Sequence, residues 1–298
     1  MRVAVLGPGG IGGFLAGVLA RADVQVVVLA GEETTRAISE NGIHVESKVA
    51  GDFHVAVETA TRLPHAVDAC LVTVKATQLT EAVERVPREA IGDGLVIPFL
   101  NGLEHVDRLR EVYPADNVVA ATIAIEAVKV EAGLIRQIST FARVELAPPA
   151  GARARIDELA VALRKGGLDV RLRDDERRML WDKFAMLAPS ALMTTHERGN
   201  VGQVRTQRRE DFAALLGEFA AVANADGGIA DANRLLQLWD GVPATFETSM
   251  QRDQAAGRPL ELDALGGALL RAAARHDIPV PVATRIVGDL GARTGVKT

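Results

Sequence analysis

The sequence predicts an α/β protein: a doubly wound sheet followed by an all-α C-terminal domain. Three observations carry this expectation. Strand-like apolar runs alternate with amphipathic segments to about residue 170, strand signals nearly vanish beyond Val170, and a glycine-rich turn directly follows the first apolar run. A chain of 298 residues exceeds the usual size of a single core, so two domains are expected, at 1–171 and 172–298.

The elements follow in order. Arg2–Leu6 is a buried strand, residues 14–22 a helix and residues 24–29 a second strand. Residues 33–40 read as a helix, with 43–46 and 52–57 as a hairpin, and the continuous apolar run at 68–74 suits a strand covered on both faces. Helix 79–86, strand 95–99 and helix 104–112 continue the alternation. Runs at 118–125, 127–130, 134–137 and 142–146 read as successive strands forming a mixed or antiparallel edge, and Arg153–Lys165 returns to helix. Helical periodicity then marks 176–195, 205–225, 244–256, 261–276 and 282–288. No Ser/Gly-rich linker separates the halves, which predicts a packed domain interface, a favoured place for ligands.

The turn Gly7-Pro8-Gly9-Gly10-Ile11-Gly12 has the spacing G-x-G-x-x-G between a strand and a helix. Gly7 permits the tight turn, Gly9 lets backbone approach a pyrophosphate, and Gly12 lets helix and strand pack closely, so a dinucleotide cofactor is predicted. The helix-start N–H groups would hold the anion. The formal charge of −5 gives no footprint for nucleic acid or an anionic membrane, and no run is long enough to span a bilayer. A small-molecule partner is expected. The single cysteine, Cys70, lies in an apolar strand and has no disulfide partner, and no signal-peptide layout opens the chain; a cytoplasmic location follows as an expectation. The six histidines show no metal-ligand spacing, so no metal is expected.

Four groups of polar residues stand at otherwise apolar places. Lys75 and Asn101-Gly102 each follow a strand, at the sheet edge where open α/β proteins bind ligands; the bland alternatives are a solvated cation and an ordinary turn. Lys183 sits among apolar residues in Met179–Leu187, where desolvation lowers a lysine pKa toward general-acid use, unless the side chain snorkels to water. Ser249 and Glu261 offer a hydroxyl and a carboxylate near helix starts, where capping is the alternative reading.

Taken together, the glycine turn, Val74-Lys75-Ala-Thr-Gln78, Asn101-Gly102, Trp181-Asp-Lys183, Ser249-Met-Gln-Arg-Asp253 and Glu261-Leu-Asp263-Ala-Leu-Gly266 resemble the ketopantoate reductase (2-dehydropantoate 2-reductase) family over nearly the whole chain. The resemblance implies a Rossmann-type domain followed by a helical domain, and NADPH-dependent reduction of a 2-oxo acid to a 2-hydroxy acid, in pantothenate biosynthesis for the type member. It also implies roles: Lys183 and Glu261 catalytic, with Asn101, Lys183, Ser249 and Glu261 at the substrate. Gly7, Pro8, Gly9, Gly10, Ile11, Gly12, Lys75, Gln78 and Asn101 fall to the cofactor, and a homodimer fits the helical second half.

The chain departs from the family pattern twice. Leu187 and Ala191 stand where pocket asparagines are usual, which predicts a less polar substrate and weak turnover of ketopantoate. The second strand ends in Ala30-Gly31-Glu32-Glu33 instead of the family's arginine, which brings NAD close behind NADP. Loss of two pocket amides also fits a non-catalytic dinucleotide-binding redox sensor or regulator, though such a protein has no evident need for Lys183 and Glu261. Other two-domain dehydrogenases with helical C-terminal halves are a third reading, disfavoured because their Lys-x-x-x-Asn helix arrangement is absent.

Overall fold

The computed structural model describes residues 1–296. The chain divides into two compact units, one made of Met1–Leu100 and His105–Glu176, the other of Asn101–Glu104 and residues from Arg177 onward. The expected division at 171 and 172 falls within a strand, and the excursion at 101–104 has no counterpart in the sequence expectation.

Unit 1 runs β1 (Arg2–Leu6), α1 (Gly10–Arg21), β2 (Gln25–Leu29), α2 (Glu32–Asn41), β3 (Ile43–Ser47), β4 (Gly51–Val55), β5 (Glu58–Ala60), β6 (Ala69–Val72), α3 (Leu79–Val83), α4 (Arg88–Ile91) and β7 (Leu95–Pro98). It continues with α5 (His105–Val112), β8 (Ala120–Ala124), β9 (Ala127–Glu131), β10 (Leu134–Gln137), β11 (Arg143–Ala147), α6 (Arg153–Lys165) and β12 (Asp169–Leu172). Five strands form a parallel sheet in the order β5-β2-β1-β6-β7. The strand order reverses beside β1, and its carboxyl end is the crevice where such sheets take ligands. Val3, Val5, Val28 and Leu71 are fully buried with Phe14, Leu15 and Leu19 of α1 in one core. Each such side chain contributes about 1.5–3 kcal/mol on burial.

The later strands do not extend the parallel sheet as an edge. They form two further sheets, β4-β3-β10-β9 and β12-β11-β8, and one parallel bridge, Val96 to Val118 just ahead of β8, ties the second of these to β7. The reason is the turn at Gly133 (φ +87°), which folds β10 back on β9 and delivers β10 to β3 in parallel register.

Unit 2 is helical, with α7 (Glu176–Glu197) starting at the last residue of unit 1, then α8 (Val201–Gln207), α9 (Arg209–Ala225), α10 (Ala232–Asp240), α11 (Ser249–Ala255), α12 (Ala268–Arg275) and α13 (Pro281–Thr294). A π-helical turn, Asp263–Gly267, precedes α12. The helix expected over 205–225 breaks at Arg208, that expected over 244–256 starts only at Ser249, α10 was not expected, and α13 runs through Gly288. Partly buried and exposed polar contacts tie the helices together. The Asp226 carboxylate, at the end of α9, accepts from Trp181 Nε1 (3.0 Å) and faces His276 Nε2 (2.8 Å) and the Arg177 guanidinium. Glu218 accepts from the backbone N–H groups of Val282 (2.7 Å) and Ala283 (2.8 Å), capping the first turn of α13. Among the described residues, no helix is long and apolar enough to cross a membrane.

Candidate functional site

In unit 1 the glycine turn is built as its spacing requires. Gly7 has φ +90°, a left-handed conformation disfavoured for other residues, and any Cβ there would strike Val74. A Cβ on Gly12 would collide with the Gly7 carbonyl and the Thr73 hydroxyl, so glycine lets α1 start against the turn. Thr73, which the sequence reading passed over, locks this arrangement: its hydroxyl lies 2.9 Å from the Leu6 carbonyl oxygen and 2.8 Å from that of Gly7. Gly9, by contrast, faces open space, and no side chain caps α1 there. The first N–H groups of α1 are therefore left for an anion, and Gly7, Pro8, Gly9, Gly10, Ile11 and Gly12 fit a pyrophosphate.

Lys75 and Gln78 bracket a 3₁₀ turn, Ala76–Gln78, just beyond β6; Lys75 is half-buried and Gln78 exposed. β2 ends in Ala30 and Gly31, and the missing side chain of Gly31 opens on empty space. Glu32, Glu33 and Arg36 are exposed in the first turns of α2. Arg85, also unremarked in the sequence, reaches this place: its Nη1 donates to the carbonyls of Ala30 (3.2 Å) and Thr61 (2.9 Å). Cys70 is fully buried in β6 and burial pushes its thiol up to about 12, so it offers no reactive thiolate.

In unit 2, Lys183 lies on α7, in sequence between Trp181 and Phe184, whose buried rings meet edge to face with centroids 5.4 Å apart. The residue keeps part of its surface open, yet protein surrounds it densely enough that desolvation pushes the ammonium down to about 8; the negative charge of Glu261 opposes this shift. Glu261 is buried, 7% exposed, one residue before Leu262 leads into the π-helical turn. Insertions of this kind are common at functional sites. The two groups thus form an electrostatically coupled pair in a poorly hydrated place.

Asn101 belongs to the same compact unit as Lys183 and Glu261. Arg271 of α12 grips Glu104 through Nε (2.9 Å) and Nη2 (2.8 Å) while its Nη1 donates to Asp263 (2.7 Å). Gly102 has φ +114°, and a Cβ there would stand 2.9 Å from the Ala264 carbonyl oxygen. The Asn101-Gly102 turn therefore packs against the π-helical turn that follows Glu261. β6 and β7 are parallel neighbours with Val72 beside Pro98, and Lys75 and Asn101 each follow three residues beyond those positions, as expected of one sheet edge; Lys75 is counted with the first unit and Asn101 with the second.

Ser249 is exposed as the first residue of α11. Its neighbour Thr248 caps that helix and meets the hydroxyl of Thr194 on α7 at 2.9 Å. Further along α7 from Lys183, Leu187 is half-buried and Ala191 buried, so an apolar stripe follows the ammonium. Among the described residues no group of three or more His, Cys, Asp or Glu side chains is arranged to hold a metal ion.

Comparison with known proteins places these features in context. The profile of ketopantoate reductase PanE/ApbA matches residues 3–151, and that of its C-terminal part matches residues 175–293. A 2-dehydropantoate 2-reductase from Mycobacterium tuberculosis is 30% identical over 300 residues, covering 97% of each chain. Among solved structures, 2-dehydropantoate 2-reductase from Geobacter metallireducens superposes with a TM-score of 0.88 at 26% identity, covering 99% of this chain and all of the other. A D-mandelate dehydrogenase solved with NADH and anilino(oxo)acetate shares the fold with a TM-score of 0.89 at 20% identity, covering 99% of each chain.

Proposed function

The chain belongs to the ketopantoate reductase family, and from that premise we propose that it reduces a 2-oxo acid to a 2-hydroxy acid with NADPH. The observation that carries this reading is the coupled pair Lys183 and Glu261, an ammonium lowered to about 8 by burial and held charged by a carboxylate. Gly7–Gly12 would hold the dinucleotide, whose nicotinamide would serve as the source of hydride for the carbonyl carbon.

Lys183 donates its proton to the carbonyl oxygen, and its charge stabilises the negative charge that develops there. With a pKa of about 8, roughly nine-tenths of Lys183 is protonated at pH 7. The acid is present, yet its proton is held more loosely than on a solvated lysine. Glu261 keeps the ammonium charged and orients it. Asn101, on the turn that packs beside the Glu261 segment, and Ser249 are the proposed further contacts to substrate, with Lys75 and Gln78 at the cofactor.

Substrate choice follows from the stripe beyond Lys183. Leu187 and Ala191 bring no hydrogen-bond partner, so a polar substituent on the 2-oxo acid would lose water without compensation. The proposed substrate bears an apolar group, and ketopantoate turns over weakly. The D-mandelate dehydrogenase, which shares this fold, was solved with an oxo acid that carries an anilino group. Oxidation of NADPH across a panel of 2-oxo acids, from ketopantoate to branched and aryl-substituted ones, tests the reading. Failure of every member removes the reductase assignment, and biosynthetic efficiency on ketopantoate removes the apolar preference.

A further inference from the structure

We propose that Arg85 reads the 2′-phosphate of the dinucleotide and so sets NADP(H) over NAD(H), a role that rests on the cofactor reading above. In dinucleotide-binding sheets the residue ending the second strand meets the adenosine ribose: a carboxylate there takes the 2′-hydroxyl, whereas a nearby arginine takes the phosphate. Here that position holds Ala30 and Gly31, neither of which can do either, and the absent side chain of Gly31 leaves open room.

A cation reaches the place from elsewhere in the chain. After β6 and α3 the backbone pairs with the segment beyond β5, Leu63 N–H donating to the Arg85 carbonyl at 2.8 Å. The Arg85 side chain then spans the ends of two strands, its Nη1 donating to the Ala30 carbonyl at 3.2 Å and the Thr61 carbonyl at 2.9 Å. Both bonds use one nitrogen. Among the described residues no carboxylate pairs with this guanidinium, and Nε and Nη2 have no protein partner. A half-buried guanidinium held by two carbonyls is preorganised, and its remaining donors suit the oxygens of a phosphate. The carboxylates that would oppose a phosphate, on Glu32 and Glu33, are exposed and make no bond fixing them over the open room at Gly31.

NADH lacks the phosphate and gains nothing from Arg85. The test is an equilibrium fluorescence titration of parent and Arg85→Gln with NADPH and NADH, together with displacement of bound NADPH by 2′-AMP and 5′-AMP. The expected result is NADPH binding weaker by on the order of tenfold to a hundredfold, NADH binding unchanged, and loss of the advantage of 2′-AMP over 5′-AMP. Arg85→Lys, which keeps the charge and loses the fork, falls between the two. Equal weakening of NADPH and NADH would show that Arg85 only braces β2 and would overturn the proposal; so would an unchanged ratio, a parent that prefers NADH, or a parent that binds neither. If the ratio shifts as expected but no 2-oxo acid is reduced, the reductase reading falls while the Arg85 assignment stands.

Discussion

Replacing Glu261 by Gln should move the alkaline limb of the pH profile for 2-oxo acid reduction to lower pH. Lys183 must be protonated to act as the acid, so kcat/KM should fall about tenfold per pH unit above about 8 in the parent enzyme. Burial lowers Lys183 from 10.5 to about 8, which corresponds to about 3 kcal/mol against the ammonium, and this is what remains after Glu261 has pulled the other way. Two unit charges 4 Å apart at an effective permittivity of 20 interact by about 4 kcal/mol. Even a quarter of that is worth about 0.7 pKa unit. The Gln variant should therefore show its limb at least that far below the parent's, whatever its maximum rate. Initial rates from pH 6 to 10 at saturating NADPH and low substrate, normalised to each enzyme's own maximum, give the comparison. A limb that stays in place, or rises, would refute the coupling; Lys183→Arg, if it retains activity, should lose the limb altogether, since its guanidinium stays protonated throughout.

Lys183→Met should reduce turnover at least a hundredfold, on general-acid magnitudes, while NADPH titrates as in the parent. Because the folded pKa of Lys183 lies below its unfolded value, its cost to stability is fully present below pH 8 and is relieved as pH rises toward 10.5. The double variant Lys183→Met, Glu261→Gln should thus match or exceed the parent in thermal stability at pH 7 though inactive, and a lower melting temperature would count against the burial argument. Gly12→Ala should abolish dinucleotide binding in a fluorescence titration, because its Cβ has no room beside Gly7 and Thr73. Glu218→Gln keeps shape but loses the charged cap of α13, and chemical denaturation should show a loss of about 1–2 kcal/mol.

Features decided by neighbouring residues were the legible ones. The first strand, glycine turn and helix share one short stretch, and Lys183 announced itself by its apolar neighbours. β5 has only three residues, and β12 alternates exposed charges with a single buried valine, so neither carries a strong pattern. α10 was legible in principle: Asp231 accepts from Arg234 N–H as its cap, and Leu235 and Trp239 lie one turn apart on its buried face. The start of α11 depends on which hydroxyl caps it, and Thr248 takes that place inside the stretch expected to be helical, so the helix begins later than its periodicity suggests. Two features were beyond local reading. The π-helical turn interrupts a sequence of ordinary helical periodicity, and Arg271 meets Glu104 across 167 positions. Arg85 is hidden for the same reason, its partners lying 55 and 24 positions upstream.

The clasp of Arg271 on Glu104 bears on how relatives of this protein can be recombined. A crossover placed at the start of α7 looks natural, yet it would inherit Asn101–Glu104 from one parent and the arginine and π-helical turn from the other. Chimeras should keep their activity only when these distant stretches come from the same source, and for the same reason a fragment starting at Arg177 would be missing a piece of its own interior.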